Sequence, residues 1–286
     1  MKPHLPKSGR RGGRWESHRR VINGNLFRHR TGVPWRDPHA RFGRWKTVYE
    51  RHRRWSADGT WDKLLAAVLA DADAEGRIDW SMVSVNSTSC RAHQHAAGAR
   101  KKPPRLPGKG TRPLQHRPDE GLGRSRGGLT CKIHLAGEGG RRPVTLLITP
   151  GQWGDAPQFI LVMERVRVAR RDGGRPRTRP GHLGGDKADS SRRNCRYLRQ
   201  RQIKHTIPEP KDQRANRQHK GSRGGRPAGF DRRIYKRRNK VERTINALKS
   251  FRAVATRFDK RAYVFYGTVT VASIRLWLRS QPTGET

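Results

Sequence analysis

The sequence is poor in cysteine, in acidic residues and in long apolar runs, and each shortage excludes a class of protein. Its three cysteines are an odd number without a C-x-x-C pair, which argues against a disulfide framework and against a zinc ribbon. No stretch approaches the roughly 20 apolar residues of a membrane helix, and residues 1–20 carry charge without the apolar segment of a signal peptide. We therefore expect a cytoplasmic protein that does not act at a membrane.

Positive charge is what the chain has in excess. It contains 65 Lys and Arg against 23 Asp and Glu, a formal net charge of +42. A field of this size attracts polyanions and supplies the salt-sensitive, sequence-independent part of nucleic-acid affinity. The charge is densest at residues 192–252, with 21 Lys and Arg against four acids. The composition predicts a nucleic-acid partner.

Residues 1–78 form a distinct tryptophan-rich segment, because six of the eight tryptophans lie at or before position 80. The spacing of apolar residues predicts three helices, at about 17–30, 45–55 and 62–74, around a small core of their own. Either a helix-turn-helix DNA reader or an ordinary basic three-helix bundle fits this pattern. In the second helix the inward positions are predicted to be Trp45, Val48, Tyr49 and Trp55. The cations on its rim are predicted to contact DNA: Arg44, Lys46, Arg51, Arg53 and Arg54.

From residue 79 onward, short β-branched runs alternate with helical patterns. Strands are predicted at about 81–88, 129–136, 143–149, 182–185 and 204–207, and helices at about 156–167, 192–201, 231–250 and 262–279. This order predicts an α/β domain at 79–280, in which an antiparallel meander is extended by parallel strands. Residues 94–123 show no periodicity and are predicted to be a disordered basic insertion, and residues 211–229 a polar loop.

Two acids in the basic C-terminal half are candidates for chemistry. Glu242 shares one helix side with Tyr235, Arg238 and Lys249, because their spacings are 3, 4 and 7 residues. The alternative for Glu242 is an ordinary i,i+4 ion pair with Arg238 on an exposed helix. Asp186 follows a buried strand, at the kind of strand end where open α/β sheets place their sites. Its alternative is a helix N-cap.

The element Tyr235-x2-Arg238-x3-Glu242-x6-Lys249 resembles the Y-(2)-R-(3)-E-(6)-K element of bacterial insertion-sequence transposases of the DDE, RNase H-like type. Further segments similar to that family follow in order over nearly the whole chain, at residues 91–101, 123–130, 149–159, 186–188 and 255–260. The resemblance implies an RNase H-like mixed sheet flanked by helices, preceded by a small all-α, helix-turn-helix-like domain. It implies a DNA transposase that binds terminal inverted repeats, and that cuts and transfers strands as a homodimer on the double-stranded DNA of element ends and target.

The same resemblance assigns roles to individual residues. Asp186 and Glu242 would be two of three carboxylates that hold two Mg²⁺ ions, with Mn²⁺ as a substitute. Hard cations need oxygen ligands, and a metal pair stabilises the attacking and leaving oxygens during displacement at a phosphodiester. Arg238 and Lys249 would contact phosphate near the cut, and Tyr235 would stack or hydrogen-bond beside it.

The third carboxylate is missing. Where the family has Val-Asp-Ser-Thr, this chain has Val85-Asn86-Ser87-Thr88. Asn86 retains a carbonyl oxygen for a metal but removes one negative charge from the predicted catalytic set of Asn86, Asp186 and Glu242. We therefore expect weakened metal binding and a copy whose activity is reduced or lost.

Two other functions compete with an active transposase. One is a catalytically dead DNA-binding protein that occupies the element's ends. The other is a basic RNA-associated protein, although no stacking motif of the RRM or KH type is visible in the sequence. A zinc site at His93 and His95 lacks a third ligand at a supporting distance.

Overall fold

The structure, a computed structural model, describes residues 4–7, 15–98, 118–227 and 229–279. Residues 99–117, most of the predicted insertion, lie outside the described residues. The elements follow the predicted order, with a few short additions. The helices are α1 (His18–Thr31), α2 (Trp45–Ala57), α3 (Thr60–Ala74), α4 (Ala156–Glu164), α5 (Arg192–Gln200), α6 (Lys211–His219), α7 (Arg232–Arg237), α8 (Asn239–Lys249), α9 (Arg252–Ala255) and α10 (Ala262–Arg279). The strands are β1 (Val83–Ala92), β2 (Gly123–Ser125), β3 (Gly128–Glu138), β4 (Pro143–Pro150), β5 (His182–Gly184), β6 (Lys204–Thr206) and β7 (Thr256–Arg257).

The seven strands form one mixed sheet with β1 at its centre. β1 runs antiparallel to β3 and parallel to β5, with Val83 opposite Glu138 on one side and Leu183 on the other. β4 pairs antiparallel with β3, and β6 pairs parallel with β5, so the order across the sheet is β4-β3-β1-β5-β6. This sheet, with its flanking helices, confirms the predicted RNase H-like α/β fold. The two remaining strands are short: β2 pairs antiparallel with β3, and β7 pairs parallel with β1.

The N-terminal helices share their core with the sheet. Trp55 of α2 belongs to the same buried cluster as Val83, Leu183 and Trp277, which come from β1, β5 and α10. The contact between α10 and α2 is so close that a Cβ on Gly267 would collide with the Ser56 hydroxyl. The prediction of a separate tryptophan core is therefore wrong, because three short helices have too little apolar area to bury by themselves. The domain boundary at residue 78 stays a prediction.

The connection between α1 and α2 spans residues 32–44. It is longer than the turn of about 3–4 residues that joins the helices of a helix-turn-helix. The N-terminal segment is confirmed as helical, whereas the insertion of its second helix into a DNA groove stays a prediction.

Two predictions for the basic C-terminal segment need correction. The single helix predicted at about 231–250 is two helices, α7 and α8, separated at Arg238. The Arg238 N–H bonds to the Tyr235 carbonyl (2.9 Å), which is the tighter i to i−3 pattern. The loop predicted at 211–229 contains α6, a helix that buries none of its side chains. Without an apolar stripe, α6 had no helical periodicity to detect.

The longest helix of the described residues is α10, with 18 residues. Neither α10 nor any other helix in this part of the chain is both long and apolar enough to cross a membrane.

Candidate active site

The candidate site begins where two central strands run side by side. Ser84 of β1 lies opposite Gly184 of β5 in a parallel pair. Two residues further along each chain come Asn86 and Asp186, so this register continues to a position where they are neighbours. Both residues line one small cavity of about 20 Å³, enough for about one water molecule. The structure thus brings together the first two members of the predicted catalytic set.

Asp186 has a structural role as well as an exposed carboxylate. Its Oδ1 accepts the N–H of Lys187 (2.6 Å), and Asp189 Oδ2 accepts the N–H of Asp186 in return (3.1 Å), which caps a short 3-10 turn. The capping role proposed as the alternative for Asp186 is therefore present. About half of the side chain stays exposed (48%), and the second oxygen, Oδ2, lies 3.8 Å from the Arg238 guanidinium.

Arg238 joins Asp186 to Glu242. Its Nη1 donates to Glu242 Oε1 (2.9 Å), and its Nη2 lies 3.8 Å from Asp186 Oδ2. The Arg238 side chain is only 9% exposed, whereas the Glu242 side chain is 49% exposed. The i,i+4 ion pair given as the alternative for Glu242 therefore exists, yet the same guanidinium also places Glu242 near the strand end of Asp186.

A glycine allows Arg238 to take this position. A Cβ on Gly184 would come 3.4 Å from the Arg238 Cβ and 2.7 Å from the Met82 Cε. A side chain at position 184 would therefore collide with Met82 and with the Ser84 hydroxyl (2.9 Å), and it would fill the space beside Arg238. The guanidinium Nε is buried and has no hydrogen-bond partner among the described residues.

Tyr235 and Lys249, which share the sequence element of Arg238 and Glu242, extend the site along the sheet. The Tyr235 ring lies beside Arg238, with 5.9 Å between the guanidinium carbon and the ring centre. Burial raises the pKa of Tyr235; the carboxylates of Asp186 and Glu242 add to this rise, and the Arg238 charge opposes it. Lys249 donates its Nζ to the Ser89 carbonyl (3.1 Å), three residues beyond Asn86 on β1.

Asn86 occupies the position of the missing carboxylate. Its Oδ1 accepts the N–H of Ser87 (2.8 Å), and the side chain is partly exposed at the cavity. The residues at this point supply oxygen donors from two carboxylates and one amide, which suits a hard divalent cation. The Arg238 guanidinium already holds a positive charge between the two carboxylates. The described residues include no group of three His, Cys, Asp or Glu side chains placed to hold a metal ion.

Three titratable residues of the same cavity were not predicted as site residues: His134, Asp155 and Asp189. Asp155 follows β4 and pairs with Lys132 (2.9 Å) and with His134 Nδ1 (3.7 Å). Burial lowers the pKa of His134 to about 4, so this ring is neutral at pH 7. Burial raises the pKa of Asp189 to about 6, and the charges of Asp155 and Asp186 act in the same direction. The position of Asp155 just after a strand end was the available sequence signal.

The cations predicted to contact DNA on the N-terminal helices divide into two groups. Arg44, Lys46, Arg53 and Arg54 are exposed, although Arg53 also pairs with Glu50 (2.8 Å). Arg51, in contrast, is only 7% exposed, so its prediction as a rim residue is wrong.

The reason for the burial of Arg51 is the face of α2 that it shares with Val48 and Trp55. Its guanidinium lies over the Trp15 ring at 4.3 Å and bonds to His18 Nδ1 at 2.9 Å. Trp45, predicted to face inward, is instead 37% exposed at the first turn of α2.

Two family models match this chain. The model described as "Putative transposase of IS4/5 family (DUF4096)" matches residues 1–65. The model described as "Transposase DDE domain" matches residues 77–275, more than half of the chain.

Three curated relatives are similar to parts of the chain. "Uncharacterized protein y4sN" of Sinorhizobium fredii is 41% identical over 93 residues, 32% of this chain and 69% of that protein. "Insertion element IS402 uncharacterized 16.2 kDa protein" of Burkholderia cepacia is 38% identical over 95 residues, 32% of this chain and 65% of that protein. "Putative transposase for insertion sequence element IS6501" of Brucella ovis is 27% identical over 151 residues, 53% of this chain and 100% of that protein.

Among solved structures, the Mos1 strand transfer complex aligns with 96% of this chain and 79% of that chain, at 10% identity and a TM-score of 0.27. The Mos1 transposase paired-end complex with left transposon end aligns with 96% and 80%, at 10% identity and a TM-score of 0.26. Scores this low support no conclusion about fold or function.

Proposed function

This chain belongs to the DDE-domain transposases of bacterial insertion sequences, and from that premise we propose that it binds the ends of a mobile element and acts on their phosphodiester bonds. In the first step, water attacks the phosphorus at the element's end and frees a 3′-OH. In the second step, that 3′-OH attacks a phosphodiester of the target DNA. The partners are therefore double-stranded DNA of two kinds, the element ends and the target.

A single observation carries this proposal: Arg238 holds Asp186 and Glu242 together beside Asn86. These groups come from three separate parts of the chain and meet beside β1, just beyond the end of β5. Asp186 and Glu242 are each about half exposed, so a DNA phosphate and its cation can reach them. Since each chain has one such site and an element has two ends, we propose that two copies act together.

The metal we propose is Mg²⁺, with Mn²⁺ as a substitute, at a site that holds two ions in the family's arrangement. When bound, the metal pair stabilises the charges that develop on the attacking and leaving oxygens. Asp186, Glu242 and the carbonyl oxygen of Asn86 are the groups that would hold it. Arg238 must release Glu242 for this to happen, which frees its guanidinium to bind the phosphate of the DNA. Lys249 and Tyr235 lie on the same side of the sheet for further contacts to the strand.

A specific observation favours a second function, a DNA-binding protein without catalysis. Asn86 leaves two carboxylates, and one of them, Glu242, is already neutralised by Arg238 at 2.9 Å. The negative charge available to two divalent cations is therefore small. In this case the chain would occupy the element's ends and leave them uncut.

Nicking by the wild-type chain decides between the two functions, and the substitution Asn86→Asp tests the assigned site. The test is Mg²⁺-dependent nicking of a duplex that carries the inverted repeats flanking the gene. If the site is correctly assigned, Asn86→Asp raises nicking about tenfold or more, because a third carboxylate strengthens metal binding. A matched control is Asn23→Asp, the same chemical change at an exposed position of α1, which should change nothing.

The substitution Glu242→Gln, made in the Asn86→Asp variant, tests for the expected loss of activity. It should abolish nicking while DNA affinity stays the same or rises slightly, since the variant keeps its shape and loses a negative charge. No gain from Asn86→Asp, or a large loss of DNA binding with Glu242→Gln, would contradict the assigned roles. Uncut DNA with intact binding in every variant would favour the second function.

A further inference from the structure

A groove of about 990 Å³ lies along β6, the outer strand of the parallel half of the sheet. One wall is α5, the floor is β6, and the other wall is α6 with the turn that follows it. Six cations that line this basic groove share one property: none forms an ion pair with a carboxylate among the described residues. They are Arg192, Arg199, Lys204, Lys220, Arg223 and Arg226.

The only carboxylate among the groove's described lining residues is already neutralised. Glu209 forms a two-pronged pair with Arg217, at 3.0 Å and 3.1 Å. The remaining charge of the basic groove is therefore positive throughout. The pKa of His182 is lowered chiefly by burial, and the neighbouring His205, Arg237 and Lys204 act in the same direction. Unpaired cations around a concave surface focus a positive potential that attracts anions.

The wall formed by α6 has little to hold it in place. This nine-residue helix buries no side chain, and a helix so short is marginal in water by itself. Its side-chain ties to the rest of the protein are polar: the Glu209–Arg217 pair and a hydrogen bond from the Ser190 hydroxyl to Gln213 (2.9 Å). An anionic partner that bridges α5 and α6 would stabilise this wall.

The basic groove begins next to the candidate active site. Ser190, which lines it, lies four residues after Asp186, and His182 lines it from β5 itself. The described lining residues include no Phe, Tyr or Trp, so the groove lacks the large rings on which bases stack best, and contacts to phosphate dominate. We propose that the basic groove binds the phosphodiester backbone of the DNA that leads away from the reacting phosphate. This proposal rests on the proposed function.

A native cysteine gives a direct test of this proposal. Cys195 lines the basic groove and is partly exposed, whereas Cys90 and Cys131 are buried. A DNA oligonucleotide that carries an activated disulfide on its backbone would react with Cys195: the Cys195 thiolate attacks the disulfide, forms a protein–DNA disulfide and releases the small thiol. Element-end DNA is used as a single strand and as a duplex, because both present the same phosphodiesters.

The control is a variant with Cys195→Ser and Asp172→Cys, which moves the thiol to an exposed turn outside the groove. We expect the cross-link to form at Cys195 at least about tenfold faster than at the control cysteine, and to disappear with Cys195→Ser alone. The DNA form, single strand or duplex, that cross-links to Cys195 faster is the form that the basic groove binds. Equal rates at both cysteines for both DNA forms would overturn the proposal.

A second measurement uses the salt dependence of DNA binding. The variant Arg199→Gln, Lys204→Gln, Arg223→Gln removes three groove cations, and its control removes three exposed arginines elsewhere, Arg170→Gln, Arg171→Gln, Arg175→Gln. Both lose the same net charge. The groove variant should lower the slope of log affinity against log salt by about 2 to 3, since each phosphate contact contributes about 0.9 on duplex DNA. Identical slopes for the two variants would also overturn the proposal.

These outcomes are separate from those of the proposed function. The cross-link and the slope need no catalysis, so they can succeed in a chain that never nicks DNA. Conversely, if Asn86→Asp nicks DNA but neither groove test responds, the transposase function stands and the basic groove has no role in binding.

Discussion

The N-terminal helices and the basic groove are both rich in cations, yet of the two regions only the N-terminal helices bury some of theirs. In the N-terminal helices, Arg51 is enclosed by Trp15 and His18, and Arg28 is 2% exposed with its guanidinium 4.5 Å from the Trp35 ring centre. In the basic groove, Arg199 and Lys204 are exposed and have no acidic partner among the described residues. The same residue type packs a core in one region and faces solvent in the other.

The difference shows that charge density does not locate a DNA-binding surface. A buried arginine stabilises the fold through its flat guanidinium on aromatic rings, and it has no free face for a phosphate. An exposed, unpaired arginine contributes little to stability but can release counterions from DNA. Burial therefore decides which cations of this chain are available to a polyanion.

The largest expected effect concerns the core that the N-terminal helices share with the sheet. Trp55→Ala removes a fully buried ring of α2 that packs with residues of the sheet. We expect a loss of about 3–5 kcal/mol in the free energy of unfolding. Because the core is continuous, the loss should appear in one urea transition, seen alike by circular dichroism and by tryptophan fluorescence.

The control for this experiment is Trp45→Ala, which removes an exposed ring from the same helix and should cost no more than about 0.5 kcal/mol. Two separate transitions, with only the first shifted by Trp55→Ala, would show that the N-terminal helices fold as an independent unit after all.

Acid sensitivity is the next largest effect, and the N-terminal helices should contribute to it through two buried histidines, in addition to His134 of the sheet. Burial holds the pKa of His52 at about 4 and that of His29 well below its usual range. Both rings gain protons more readily when the chain unfolds, so their stabilising effect is complete above the unfolded pKa of about 6.5 and is lost as pH falls toward 4. Each histidine should remove about 1.4 kcal/mol of stability per pH unit in this window.

Urea unfolding at pH 7, 6 and 5 measures this dependence. His52→Gln should flatten it, whereas His219→Gln, at an exposed position at the end of α6, should leave it unchanged. If His52→Gln fails to fold, the ring nitrogen shifts of the wild type report the same point, because they should remain those of a neutral imidazole at pH 6. A stability that is constant from pH 7 to pH 5 would contradict the burial argument.

The smallest expected effects come from replacing two arginines at α2, one buried and one exposed. Arg51→Gln should cost about 1–2 kcal/mol of stability, because it removes the contacts with Trp15 and His18, and should leave the salt slope of DNA binding unchanged. Arg44→Gln, at the exposed start of α2, should cost no more than about 0.5 kcal/mol and lower the slope by about 1 if this helix contacts phosphate. Denaturant midpoints and binding titrations at several salt concentrations measure both. A slope change with Arg51→Gln alone would reverse the comparison.

The sequence was sufficient to predict the order of the elements and a meander extended by parallel strands, and the family resemblance predicted that Asp186 and Glu242 share a site. Buried strands are visible as apolar runs, and the parallel pairing of β1 with β5 follows from their place in that order. The alternatives raised for the two acids were also found, since Asp186 caps a turn and Glu242 pairs with Arg238. Local spacing could not reveal that one guanidinium lies beside both carboxylates, because Asp186 and Glu242 come from distant parts of the chain.

Other features were missed for a physical reason that they share. Arg51 was placed on the wrong face of α2 because its burial is decided by Trp15 and His18, which precede it by more than 30 residues. The sequence predicts a loop where α6 forms, because polar contacts with Glu209 and Ser190, and not an apolar face, hold this helix in place. The same polar contacts form one wall of the basic groove, and they leave no periodic pattern in the sequence from which the groove could be predicted.

The amino-acid sequence by itself determined the positive charge that favours a polyanion partner, the family of the chain and the absence of a carboxylate at Asn86. Each of these depends on composition, on motif spacing or on one residue's chemistry, all of which are local properties. The tertiary structure alone decided which cations are buried among aromatic rings, which surround an open groove, and that Arg238 lies between Asp186 and Glu242. These depend on desolvation and on contacts between distant segments, and only the folded chain brings those segments together.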